Sequence, residues 1–148
     1  MEKVFKGRPI LPGNIEGESV VTHEGLNILA TFQKSALKKA KTVIGSDQNN
    51  RDLFNKELTG KIICLPKTIG STTGGMVLEA IAKLGIGPKA MLFAEHIDSL
   101  AAAGVILADV WVGQRIITID QLGEGFLAYV KDGQKISIAE DGTVTVYT

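Results

Sequence analysis

Three regimes of hydrophobic and polar patterning follow one another along the chain. At the start, Lys3 to Gly13 reads as a short strand entering a turn set by Pro9, Pro12 and Gly13, and Glu18-Ser19-Val20-Val21-Thr22 reads as a second strand after Gly17. Between Leu29 and Lys41, the spacing of Phe32, Ala36, Leu37 and Ala40 predicts a short amphipathic helix with Lys34, Lys38, Lys39 and Lys41 on its wet face. The polar run from Gly45 to Asp52 predicts a surface loop, leading through Leu53, Phe54 and Leu58 to Gly60. The centre then alternates. A strand over 61–65 is followed by a glycine loop, a helix over 72–84 stopped by Gly85-Ile86-Gly87-Pro88, and a strand over 89–94. A short helix over 95–103 ending at Gly104 and a strand at Val105-Ile106-Leu107 complete this part. Alternation of this kind implies parallel pairing with right-handed crossovers.

Beyond Asp109 the runs become short and β-like, over 115–119, 125–130, 134–138 and 143–147. Asp132-Gly133 and Asp141-Gly142 lie between them as hairpin signals. The predicted fold is therefore α/β: a parallel βαβ centre closed by antiparallel strands into a barrel-like core. One domain over residues 1–148 is expected, long enough to bury a real core.

Composition narrows the chemistry. Sixteen basic and sixteen acidic residues cancel, which argues against a nucleic-acid binder. A low net charge also does little to keep surfaces apart, in keeping with a permanent partner. One cysteine and two histidines are too few for a zinc or iron–sulfur site within the chain. Cys64 lies in the apolar strand and reads as a small buried hydrophobe. No apolar run reaches the roughly 18 residues of a membrane span, and no basic-then-apolar leader opens the sequence, so a cytoplasmic location is expected.

The stretch Lys67-Thr68-Ile69-Gly70-Ser71-Thr72-Thr73-Gly74-Gly75 stands between the 61–65 strand and the following helix. The first amides of a helix lack intrahelical partners and the dipole leaves positive charge there, so hydroxyls and amides at this position suit a carboxylate or phosphate. The Gly-Lys-Ser/Thr ending of a P-loop is absent, as are Gly-x-Gly-x-x-Gly and Gly-x-Ser-x-Gly. What remains is a serine between glycines at a helix entrance. Its bland explanation is an N-cap from Ser71 or Thr72. Against that, Gly70 to Gly74 contains more small and hydroxylic residues than one cap needs. Gly74-Gly75 also costs helix propensity of roughly 1 kcal/mol per glycine, implying that something approaches the backbone closely.

With the loop so placed, the chain resembles the small subunit, or swivel domain, of the aconitase X family. The resemblance rests on Gly60-Lys61 through Gly75, Gly85-Ile86-Gly87-Pro88-Lys89-Ala90, Ala102 through Asp109, and the early Gly7-Arg8 through Gly17-Glu18. It implies a swivelling β/β/α domain paired with a larger catalytic subunit. That subunit would carry an iron or iron–sulfur cluster and most substrate ligands, with no cofactor bound by this chain alone. Family members dehydrate small hydroxy acids, including cis-3-hydroxy-L-proline and (R)-5-phosphomevalonate. The family's swivel-domain serine matches Ser71, which would remove the proton alpha to the substrate carboxylate. Gly70, Thr72, Thr73 and Gly74 would hold that serine and the substrate's anionic group. A serine alkoxide needs strong stabilisation, which helix amides or a nearby cation supply in a dry cleft. Departure of water needs a Lewis acid that this chain does not provide. Two segments depart from the family pattern, 45–55 and 95–99. They turn the expectation towards a hydroxyproline-type dehydratase, with the phosphomevalonate enzyme as the alternative.

Other residues carry two readings each. His96 with Asp98 is either an acid/base pair beside the cleft or a surface histidine beside a helix cap. Asp109 either positions substrate or ends a strand. Arg8 and Lys67 are anion ligands or surface charges, and Trp111 is expected to pack. Two other classes remain: a phosphohistidine-type carrier, which lacks the histidine it needs in this loop, and an anion-binding module without catalysis.

Overall fold

The computed structural model describes residues 1–70 and 74–148. The strands are β1 (Glu2–Lys6), β2 (Arg8–Leu11), β3 (Ile15–Val21), β4 (Leu26–Asn27), β5 (Ile62–Leu65), β6 (Thr68–Ile69), β7 (Ala90–Phe93), β8 (Ile117–Asp120), β9 (Lys135–Ile138) and β10 (Thr143–Tyr147). The helices are α1 (Ile28–Leu37), α2 (Gly74–Lys83), α3 (Ser99–Leu107) and α4 (Glu124–Tyr129), and a π-helical turn, Ala108–Val112, extends α3.

Eight strands pair in the order β1-β10-β9-β3-β5-β7-β8-β2, and β4 pairs with β6 separately. The β3-β5-β7-β8 centre is parallel, while β9, β10, β1 and β2 join antiparallel. A parallel centre with antiparallel flanks is as the sequence predicts, but β8, expected among the antiparallel end strands, pairs parallel with β7. The barrel-like closure is not what the pairing shows. The order is open, and its two ends, β1 and β2, are successive pieces of one stretch of chain bent at Gly7. Strand β3 is shared in a similar way: Ile15–Glu18 pairs with β9 and Ser19–Val21 pairs with β5.

The parallel strands are buried on both faces, which is why they read as unbroken apolar runs. Ile63, Leu65, Met91 and Phe93 point into a core shared with Phe32, Leu78, Ile81 and Val105 of the helices. Ile62, Cys64, Ala90 and Leu92 point the other way, against Phe126, Ile136, Ile138, Val144 and Val146. The layers are therefore helix, parallel sheet, antiparallel strands. Cys64 is fully buried, and burial pushes its thiol well above the ordinary range, so it behaves as a packing residue.

Several predicted elements differ. Val105-Ile106-Leu107 is the last turn of α3, not a strand. Gly104 does not end the helix. It lies inside it, where α3 crosses α2 so closely that a Cβ on Gly104 would stand 2.8 Å from the Gly75 Cα. The close approach implied by Gly74-Gly75 is thus made by another helix. The run 125–130 is mostly helix α4, because Phe126, Leu127 and Val130 bury one helical face. Asp132-Gly133 therefore turns the chain from a helix into β9, and the Asp132 carboxylate accepts the Val21 N–H at 2.7 Å. Only Asp141-Gly142 makes a hairpin, between β9 and β10. The 45–52 loop is not simply a surface loop either: Asn50 is buried and accepts from the Leu53 N–H at 3.2 Å and the Thr22 hydroxyl at 3.1 Å. Trp111 does not pack but is 80% exposed.

Candidate functional site

Parallel strands bring the loops that follow them to one edge of a sheet, and this chain assembles its polar residues there. From β5 the chain passes Pro66 and Lys67 into β6 and then into the loop before α2. Pairing of Leu26 with Thr68 and of Asn27 with Ile69 holds the start of that loop against the segment entering α1. Gly70 has φ +109°, and a Cβ there would stand 2.8 Å from the Asn27 side chain, so the position has room for glycine only. Asn27 is itself the N-cap of α1, accepting from the Ala30 N–H at 3.0 Å.

Across the loop, the Thr68 hydroxyl donates to the Asp98 carboxylate. Asp98 caps α3, accepting from the Leu100 and Ala101 N–H groups at 3.1 and 3.0 Å. Helix α2 opens at Gly74, which is buried with Ile28 of α1 as its nearest neighbour, while Gly75 packs on α3. The N-terminal ends of α1, α2 and α3 therefore meet around one loop. Their dipoles add positive potential at the point where the sequence predicts an anion cradle, partly offset by the Asp98 carboxylate. A cavity of about 120 Å³ lies at this point, lined by Thr68, Gly70, Gly74, Asp98 and Leu100 among others.

Of the predicted site residues, Gly70 and Gly74 thus flank one small cavity. Ser71, Thr72 and Thr73 lie outside the described residues. Lys67 is exposed beside the loop, and its carbonyl accepts the Leu26 N–H at 2.9 Å.

A second polar cluster sits at the same sheet edge. Arg8 at the start of β2 forks onto Asp120 at the end of β8, Nε to Oδ1 at 2.9 Å and Nη2 to Oδ2 at 2.8 Å. The Ile97 N–H adds a third bond to Oδ2 at 2.8 Å. Burial by itself would raise the Asp120 carboxyl, but the bonds from Arg8 and Ile97 and the Arg8 charge outweigh it and hold the group below the usual carboxylate range. His96 Nδ1 lies 2.7 Å from the Ile97 carbonyl, which only accepts, so the proton is on Nδ1. Nε2 then accepts from Arg8 Nη2 at 3.2 Å. Arg8 is accordingly neither a free surface charge nor a free anion ligand. It is a half-exposed guanidinium oriented by a fully buried carboxylate.

The remaining acids resolve simply. Asp98 and His96 do not form an acid/base pair with each other, since Asp98 serves the α3 cap and His96 serves Arg8. Asp109 neither ends a strand nor faces the loop cavity; it pairs with Arg115 at 2.9 Å through both oxygens, which holds its carboxyl below the usual range. Among the described residues, no three His, Cys, Asp or Glu side chains gather in a way that would hold a metal ion. No described helix is long and apolar enough to cross a membrane. Asp120 is the residue that sequence reasoning missed. Its only local signal is an acid closing the apolar run Ile116–Ile119, at the carboxyl end of a buried strand.

Comparison with known proteins bears directly on this geometry. The profile of the aconitase X swivel domain matches residues 4–146. The phosphomevalonate dehydratase small subunit of Pyrococcus furiosus is 34% identical over 144 residues, 96% of this chain and 94% of that one. Its counterpart in Thermococcus onnurineus is 30% identical over 143 residues, 96% of this chain and 97% of that one. The crystal structure of Thermococcus kodakaraensis aconitase X in its holo-form superposes with a TM-score of 0.82 at 27% identity, covering 99% of each chain. A helix layer, a parallel sheet and an antiparallel layer, presenting a glycine loop at the sheet edge and matched along nearly their whole length, place the chain in the aconitase X swivel domain family.

Proposed function

We propose that this chain is the base-carrying small subunit of a two-subunit hydro-lyase acting on a phosphorylated hydroxy acid of the phosphomevalonate type. The observation that carries the substrate class is that relatives aligning over nearly the whole chain are named phosphomevalonate dehydratase small subunits. This reverses the weighting drawn from sequence, which favoured hydroxyproline because 45–55 and 95–99 depart from the family pattern. Both segments have structural work that explains their residues. Asn50 and Asp52 bond to Thr22 and to the His23 N–H, and Asp98 caps α3. Their composition therefore carries little about substrate.

Electrostatics supports the same choice. Three helix N-termini favour anionic groups. A phosphorylated hydroxy acid has two anionic ends, whereas a hydroxyproline offsets its carboxylate with a cationic ring nitrogen. In the proposed step, Ser71 as alkoxide takes the proton alpha to the carboxylate. The electron pair forms the carbon–carbon double bond, and the hydroxyl on the neighbouring carbon leaves, so that proton and hydroxide together amount to one water. In this reading Gly70, Thr72, Thr73 and Gly74 hold that serine and the anionic group of the substrate. The iron or iron–sulfur centre that would accept the leaving hydroxyl is, on the same reading, carried by the large subunit.

The test is co-expression with the cognate large subunit and assay against phosphomevalonate and cis-3-hydroxy-L-proline. Turnover of phosphomevalonate is expected, with Ser71→Ala lowering kcat by about a thousandfold or more while the complex still assembles. Turnover of hydroxyproline alone would overturn the substrate class. Unchanged kcat in Ser71→Ala would remove Ser71 from the mechanism.

A further inference from the structure

Helix α3 contains no charged residue, yet only one of its faces is buried. Ala101, Gly104, Val105 and Ala108 point into the molecule. On the other side, Leu100, Ala103, Ile106 and Val110 recur at helical spacing and are exposed, Val110 to 70%. Trp111, 80% exposed, extends the stripe on the π-helical turn. A helix apolar all round is normally buried all round. The outward sides of the neighbouring helices carry Lys34 on α1 and Glu79 and Lys83 on α2, although Leu29, Ala36, Leu37, Met76, Val77 and Ala80 line a second apolar groove between those two helices.

The stripe also begins at the candidate site. Leu100, its first residue, lines the cavity shared with Gly70 and Gly74, and the exposed Ile69 lines it too. A body seated on the stripe would therefore meet the loop as well. We infer that the outer face of α3, from Leu100 to Trp111, is the docking surface for the large catalytic subunit, met there by an apolar surface of that subunit. This rests on the two-subunit reading above, in which the loop is half of an active site and is incomplete without a second body bringing the Lewis acid. Continuity of stripe and cavity is what selects the large subunit as occupant. An exposed tryptophan at the end of the stripe has the character of an interface anchor.

Trp111 is the sole tryptophan, so the chain carries its own reporter. The full chain labelled with 5-fluorotryptophan gives one fluorine resonance, which is followed by NMR as unlabelled cognate large subunit is added. A saturable shift of that resonance is expected. Ile106→Glu and Val110→Glu, checked for native fold by circular dichroism, are expected to weaken binding about tenfold or more. Val4→Glu, an exposed position on β1 in the antiparallel layer, is expected to bind as the unmodified chain does. A complex that forms with the Trp111 resonance unmoved, or one insensitive to both α3 variants, overturns this surface while leaving the two-subunit reading intact. Dimers of the isolated chain that Val110→Glu disperses would assign the stripe to a second copy and overturn it too. Failure of the unmodified chain to bind the large subunit at all would remove the two-subunit reading, and this docking surface with it.

Discussion

Gly70 shows how much a single position contributes to the loop. Its φ of +109° and the 2.8 Å approach of Asn27 each exclude a side chain. Gly70→Ala is expected to destabilise the chain by about 1–3 kcal/mol, read from the urea midpoint of unfolding. An unchanged midpoint would mean that the loop and Asn27 are not packed as described. The need for glycine here was legible in the sequence as a cluster of small residues at a helix entrance. The reason for it was not, because Asn27 is far away along the chain and only the β4–β6 pairing brings it close. Asp120 was still less legible. Its partner Arg8 is 112 positions away, and no local pattern connects them. In the same way, His96 and Asp98 look like a pair in sequence, yet each turns to a different neighbour.

At the level of elements, the meeting of α2 and α3 decides what the loop can do. Gly75 and Gly104 let two backbones touch, and this sets the direction from which α2 presents its first turn. Gly104→Ala tests the crossing. In an isolated helix the change would add roughly 1 kcal/mol of stability through propensity. Here the new methyl meets Gly75 backbone, which cannot swing aside as a side chain would, and overpacking of this kind costs about 1–3 kcal/mol. The variant is expected to melt below the unmodified chain; a higher Tm would show that the helices part at no cost. The mistaken helix stop at Gly104 has the same origin. A glycine that ends a helix and a glycine that admits a neighbour look identical in one dimension, and only the packing separates them. The helix α4 was misread as a strand for a similar reason, since a six-residue apolar run fits either period.

The whole molecule joins distant ends through charge as well as through the sheet. Asp120 with Arg8, Asp109 with Arg115, and Asp141 each lie below the usual carboxylate range. Asp141 falls to about 2 through its Thr143 hydrogen bonds and Lys6. Because these carboxyls hold protons less readily folded than unfolded, the unfolded state takes up more protons as the pH falls. Their contribution is complete above about pH 4 and is lost as the pH falls through the folded values, towards about pH 2. Urea midpoints measured across that interval are expected to fall steadily. Asp120→Asn should flatten part of the fall and lower the midpoint at neutral pH. A midpoint independent of pH in the unmodified chain would show that these pairs contribute nothing.

Although the third central strand was misplaced at 105–107, the pattern along the chain was enough for the α/β class, the parallel pairing of the 61–65 and 89–94 strands, the β9–β10 hairpin and the loop at a helix entrance. Each of these follows from periodicity and turn chemistry, which act between near neighbours. The tertiary structure decided that three helix N-termini converge on that loop, that Arg8 is held by Asp120, and that one face of α3 is left apolar and uncovered. Those features arise from contacts between segments far apart in the chain, and the energy of such a contact is not written in either segment alone.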